Sequence, residues 1–287
     1  MAMRTRHGTL YVVATPLGNL EDITLRALRV LKEVDLIAAE DTRHSRKLLT
    51  HFGISTPLTS YYDQIERQKA PQLIEELKKN KSIALISDAG TPCIADPGFR
   101  LVRSALDAGI DVEVVPGPSA VAAALSVSGL PTDRFAFEGF IPPRASARRN
   151  FLKALAAEER TLVLYEAARR LVDALQDLLD VMGDRHVVIA RELTKMFEEV
   201  QRGRVSDLIA ILRERAAGGR GVQGEITLLI SGAEGREATL SSEELDQQIK
   251  QLRAEGVGLK EIARQLAGEH GLSRREVYQR ALELQKD

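Results

Sequence analysis

The stretch IALISDAGTPCIADPG, residues 83–98, decides how this chain reads. Ile83, Ala84, Leu85 and Ile86 make a short continuous apolar run, the pattern of a buried strand. The run breaks abruptly into Ser, Asp, Gly, Thr and Pro. In open α/β sheets ligands sit beyond the carboxyl ends of strands, and small residues there let a ligand approach the backbone. Asp88 and Asp96 add charge, while Pro92 and Pro97 stiffen the path. The stretch holds neither GxGxxG nor GxxxxGK[ST], so it is neither a dinucleotide fingerprint nor a P-loop.

Outward from this loop the same grammar repeats. Residues 9–14, 34–39 and 112–115 read as strands, and residues 23–31, 66–79, 99–108 and 119–128 as helices. Four strand ends are rich in Gly, Pro or charge: residues 15–19, 40–43, 87–98 and 116–120. Strands alternating with helices predict a mostly parallel sheet. Those four ends then share one edge and form one wall of a cleft. The breakers Gly129-Leu130-Pro131-Thr132-Asp133 suggest a boundary. Beyond it, residues 135–140, 161–165, 187–190 and 226–231 are strand candidates, with helices near 146–157, 169–181 and 205–215. The expected domains are 9–128, 129–234 and a helical appendage at 240–287. Three helices are read in the appendage, at 243–254, 259–267 and 273–284. Its segment 259–282 has the form of a helix-turn-helix, with Gly271 in the turn and Ser273 and Glu276 as a capping box.

Composition narrows the class. The 287 residues carry 40 Lys and Arg against 41 Asp and Glu, a formal net charge of -1. Binding to nucleic acid would therefore need local basic patches. No apolar stretch approaches the ~20 residues that span a bilayer, and the first residues lack a signal-peptide pattern. A single cysteine, Cys93, excludes an internal disulfide and fits a reducing cytoplasm. With no histidine near it in sequence, Cys93 is read as incidental and not as a nucleophile. The five histidines are scattered, and no metal-ligand spacing exists.

Other polar residues sit where strands end. The second half offers Tyr165-Glu166, Arg191 to Lys195, and Gly224 to Thr227. Arg144, Arg148 and Arg149 form the best local patch for phosphates, and Arg43 to Lys47 a second.

Eight segments then occur in one order: TPLGNLEDIT, AEDTR, SDAGTPCIADPG, PGPSA, LPTDRFAFEGF, YEAARRL, RELTK and GEITLLISG. On these the chain closely resembles the bacterial small-subunit ribosomal RNA methyltransferase I family, a branch of the tetrapyrrole-methylase-like (class III) methyltransferases. The resemblance covers about residues 9–232, and the tail is similar to the family's helix-turn-helix appendage. It implies an α/β fold: two α/β domains of tetrapyrrole-methylase type with S-adenosylmethionine in the cleft between them, in a homodimer. The implied activity is 2′-O-ribose methylation of a decoding-centre cytidine in 16S rRNA, on the free RNA or the 30S subunit, in the cytoplasm. It implies that Asp88, Ala89, Gly90, Thr91 and Ile94 hold the cofactor with Pro118, Ser119, Ala120, Tyr165 and Glu166. Glu225, Ile226 and Thr227 close the far side, and Pro16 forms the floor.

The same resemblance offers Glu40, Asp41, Glu138 and Lys195 as acid–base candidates, with Arg43 and Lys195 also able to hold phosphate. Phe137 and Phe140 read as core residues, with stacking on the target base as their other role. One stretch departs from the family. Where relatives often show SYHxHNE, this chain has Ser60-Tyr61-Tyr62-Asp63-Gln64-Ile65-Glu66. Two other readings remain: a class III methylase of corrinoid precursors or of a protein residue, and a non-enzymatic nucleic-acid-binding regulator.

Overall fold

The computed structural model describes residues 8–219, 221–233, 242–270, 272 and 274–284. The first sheet contains β1 (Thr9–Val13), β2 (Leu36–Ala39), β3 (Leu58–Ser60), β4 (Ile83–Ile86) and β5 (Asp111–Val115), in the order β3-β2-β4-β1-β5. Every pairing in it is parallel. The interior strands β2 and β4 read LIAA and IALI because both of their faces are covered. Helices α1 (Leu25–Glu33) and α2 (Thr42–His51) precede β3; α3 (Asp63–Lys78), α4 (Phe99–Asp107) and α5 (Ala120–Ser128) complete this half. Each crossover returns the chain to the same sheet edge, so the four anticipated strand ends do meet there.

The second sheet contains β6 (Phe135–Phe140), β7 (Thr161–Ala167), β8 (His186–Arg191), β9 (Glu199–Arg204) and β10 (Glu225–Ile230), in the order β6-β7-β10-β8-β9. It is mixed: β6 and β7 are parallel, while β10 runs antiparallel to both β7 and β8. The ends of β7 and β8 and the start of β10 consequently share an edge. Helices α6 (Ala145–Ala154), α7 (Leu171–Met182) and α8 (Val205–Ala217) complete this half. Leu171, Ala174, Leu175 and Leu178 follow helical spacing along α7 and are buried in the core of this half.

Helix α5 joins the two halves. Its Val121, Ala124 and Leu125 pack against Val163, Val188, Ala190 and Leu229 of the second sheet. The described residues up to Ser231 accordingly form one compact unit. A second unit contains α9 (Ser242–Ala254), α10 (Leu259–His270) and α11 (Arg274–Glu283) around Ile249, Ile262, Leu266 and Val277. Gly271, Ser273, and the stretch 234–241 at the expected boundary lie outside the described residues.

Three elements escape the sequence reading. Helix α2 is polar, and β3 is three residues long. β9 reads EVQRGR with no apolar run; it is an edge strand held by pairing to β8.

Candidate functional site

The strand-end loops of the first sheet are knitted to one another. The Thr15 and Gly90 backbones exchange hydrogen bonds of 2.9 and 3.0 Å, and the Thr15 hydroxyl donates to the Ser87 carbonyl. The Asp41 N–H donates to Asp88 Oδ1 at 3.0 Å, and the Asp88 N–H reaches Glu40 Oε2 at 3.4 Å. The Thr91 hydroxyl donates to the Pro118 carbonyl at 3.0 Å. Hydrogen bonds thus tie each of these loops to a neighbour.

The loop after β4 carries backbone strain. Cys93 and Ala95 have φ of 71° and 62°, values an L side chain rarely adopts. Gly98, at φ 138°, closes the loop where a Cβ would lie 2.6 Å from Cys93 Sγ. Buried Glu66 pins this end: its Oε1 accepts from the Tyr61 hydroxyl and from the Gly98 and Arg100 N–H groups. Tyr61 and Glu66 are two positions at which the stretch 60–66 keeps the family pattern. The substituted positions Tyr62 and Gln64 are exposed, and Ile65 is half-buried. The departure therefore leaves the buried clamp intact.

On the opposite wall, residues 192–195 form the second strained loop, with Glu192 and Thr194 at φ 50° and 67°. Glu192 Oε1 accepts from the Glu225 N–H and from Lys195 Nζ, each at 3.0 Å. Lys195 Nζ also meets Glu225 Oε2 at 3.0 Å. Thr194 Oγ1 accepts from the Asn19 N–H, linking this loop to the first half.

Between the walls lies a cavity of about 430 Å³. Asp88, Ala89, Gly90, Thr91, Ile94, Ser119, Ala120, Tyr165, Glu166, Glu225, Ile226 and Thr227 line it, as do Glu40, Asp96, Phe140, Leu17 and Leu193. Pro16 and Pro118 do not. Leu17, next to Pro16 in sequence, lines it instead, and the Pro118 carbonyl accepts from the Thr91 hydroxyl. Asp96, read from the sequence only as a charge in the loop and not as a ligand-binding residue, also lines the cavity. Phe140 is likewise not core: it is 57% exposed.

The lining is acidic, with Glu40, Asp88, Asp96, Glu166 and Glu225 and no Lys or Arg. Burial first, then the Asp96 charge, pushes Glu40 up to about 7. Burial likewise pushes Asp96 up to about 6 and the Tyr165 phenol to about 12. Glu166 is 2% exposed; its Oε1 binds Arg170, while its Oε2 is buried without a partner. The half-buried Cys93 thiol is pushed up to about 11 by burial, which suits a bystander and not a nucleophile.

The other candidates fall elsewhere. Asp41 caps α2 and pairs with Arg43, which holds its carboxyl well below the usual range. Glu138 is exposed on β6, off the cavity. Of the basic patch, Arg148 is a correction: it is 5% exposed and bound to buried Asp177 at 2.6 Å, so it does not face a phosphate backbone. Arg149 shares Asp177 but stays half exposed. Arg144 is exposed, with no ion pair among the described residues. Among those residues there is also no group of side chains able to hold a metal ion and no helix long and apolar enough to cross a membrane.

Residues 9–209 match the family described as Tetrapyrrole (Corrin/Porphyrin) Methylases, and residues 239–285 match the RsmI C-terminal HTH domain. The fold is similar to that of uroporphyrin-III-C-methyltransferase from Thermus thermophilus, with a TM-score of 0.55 at 24% identity over 79% of this chain and 96% of that one. It is similar also to diphthine synthase, with a TM-score of 0.59 at 18% identity over 83% and 93%. Full-length similarity is stronger. A ribosomal RNA small subunit methyltransferase I from Escherichia coli O157:H7 is 48% identical over 97% of this chain and 96% of its own length. One from Synechocystis is 46% identical over 98% and 99%. With both halves of the catalytic unit and the helical tail matched, the chain belongs to the ribosomal RNA small subunit methyltransferase I family of tetrapyrrole methylases.

Proposed function

We propose that the chain is an S-adenosylmethionine-dependent methyltransferase acting on the ribose 2′-hydroxyl of a decoding-centre cytidine in 16S rRNA. The observation that carries this reading is the cavity: five carboxylates and no basic side chain line a space within the range of small-molecule sites. Such a lining fits a ligand that bears a sulfonium and an ammonium. The unpartnered Glu166 Oε2 is an acceptor for one of that ligand's donors. Asp88 to Thr91, Ser119, Ala120, Tyr165 and residues 225–227 would hold it, with Ile94 at the rim. When bound, S-adenosylmethionine supplies a methyl group already activated for transfer.

The chain's own contribution is position and proton transfer. The knitted loops hold the walls, and alignment supplies much of the rate. Glu40 accepts the 2′-hydroxyl proton: of the four acid–base candidates it alone lines the cavity, where burial raises its carboxyl to about 7 in the free protein. Lys195 is held protonated by Glu192 and Glu225, so it cannot take a proton. Arg43, Arg46, Lys47 and Arg144 are exposed and Arg149 half exposed, and these are the candidates for RNA phosphates. The domain division we propose is two α/β domains, residues 9–128 and 129–234, holding the donor between them, and a helical appendage at 240–287. The enzyme works in the cytoplasm as a homodimer.

The test is methylation of 30S subunits or 16S rRNA from a strain lacking the modification. The expected result is a new stop at the decoding-centre cytidine in ribose-methylation-sensitive primer extension. Methyl transfer without that stop refutes the target, and no transfer to either substrate refutes the ribosomal reading.

A further inference from the structure

Strand β6 breaks its alternation just before it reaches the cavity. Phe135, Ala136 and Phe137 stand opposite Thr161, Leu162 and Val163 of β7; the register then slips, and Phe140 stands opposite Tyr165. One extra residue has entered β6, and Gly139 takes it up at φ 69°. In an unbroken strand Phe137 and Phe140, three apart, would point to opposite faces. Here both rings sit edge-on to the same Tyr165 ring, with centroids at 5.0 and 5.3 Å. Their surroundings differ. Phe137 packs on the α5 cluster, while Phe140 lines the cavity and remains 57% exposed. The bulge therefore places a fixed aromatic face at the solvent side of a cavity whose acidic lining suits a cation. Pro142 and Pro143 then stiffen a short path to exposed Arg144.

We propose that Phe140 is the stacking platform for the unstacked base of the target nucleotide, with Arg144 holding a neighbouring phosphate. This rests on the ribose-methylation reading and names the substrate contacts of the same site. Sequence-specific proteins read RNA where bases are splayed out and stacked on aromatic side chains. A ring already held by Tyr165 loses little freedom on stacking.

The test uses the full chain, unmodified 30S subunits and labelled S-adenosylmethionine. Phe140→Leu keeps an apolar side chain against Tyr165 but removes the aromatic face. It should raise KM for 30S subunits about tenfold and change S-adenosylmethionine affinity, read by calorimetry, by much less. Phe140→Trp should restore most of the loss. Arg144→Ala should also raise KM, and lower the slope of log affinity against log salt by about one. An unchanged KM in Phe140→Leu overturns the stacking role while leaving the enzyme's activity established. Weakened S-adenosylmethionine binding with an unchanged KM assigns the ring to the cofactor's adenine and also overturns it. If the wild type transfers no methyl group to 30S subunits or 16S rRNA, the ribosomal reading fails, and this inference falls with it.

Discussion

Glu40 leaves β2 into a space it shares with Asp88 and Asp96, and this crowding sets its chemistry. Below about pH 6 both Glu40 and Asp96 hold protons; above about pH 7 both are charged. The raised values mean that the free protein resists that ionisation, and a cationic ligand relieves it. Affinity for S-adenosylmethionine should therefore rise with pH through this window, with proton release on binding, and level off above it. Calorimetry in two buffers of different ionisation enthalpy reads the protons directly. Glu40→Gln should remove the upper part of the rise and lower the transfer rate by about 10²–10⁴-fold, the usual worth of a positioned base. A pH-independent affinity, or a Glu40→Gln enzyme at full rate, would exclude this role. Sequence alone offered four acid–base candidates at equal standing. They differ in their surroundings: Asp41 is bound to Arg43, Lys195 to two carboxylates, and Glu138 is exposed on β6. The same applies to Arg148, whose buried partner Asp177 lies 29 residues away in sequence.

At the scale of elements, the loop after β4 is a strained segment held at both ends. Its start is bridged to Thr15, and its end is fixed by Glu66 through Gly98 and Arg100. Removing the clamp with Glu66→Ala leaves the Tyr61 hydroxyl and two amide N–H groups short of an acceptor, at about 1–3 kcal/mol for each that stays buried and unsatisfied. Gly98→Ala forces a Cβ against Cys93 Sγ and Leu85 Cδ2 at a positive φ, at a further cost of about 1–3 kcal/mol. Both variants should melt lower and bind S-adenosylmethionine more weakly, because Asp88 to Thr91 lose their anchor. Denaturant titration alongside calorimetry checks this, and a destabilised variant with unaltered affinity would uncouple the clamp from the site. This clamp was not legible beforehand, since Glu66 read only as the start of a helix. The strands were legible where apolar runs mark burial on both faces, as in β4 and β10. β9 was not, because its Val200, Gln201 and Arg202 gain strand character only by pairing with β8.

For the whole molecule, one cavity is built from two sheets, and the chain must cross the core through α5 to build it. Every residue lining that cavity precedes β10's end at Ile230. The helices after Ser231 have a core of their own, around Ile249, Ile262, Leu266 and Val277. A protein ending at Ser231 should therefore fold and bind S-adenosylmethionine with unchanged affinity. At 100 times Kd the ligand should still stabilise it by about 2.7 kcal/mol, the value set by mass action for a single site. Its KM for 30S subunits should rise if the tail helps docking, because the overall charge of -1 gives no general attraction to RNA. Thermal melts with and without ligand separate these outcomes. Loss of the ligand-induced shift on truncation would make the tail part of the donor site, and an unchanged KM would remove it from substrate binding.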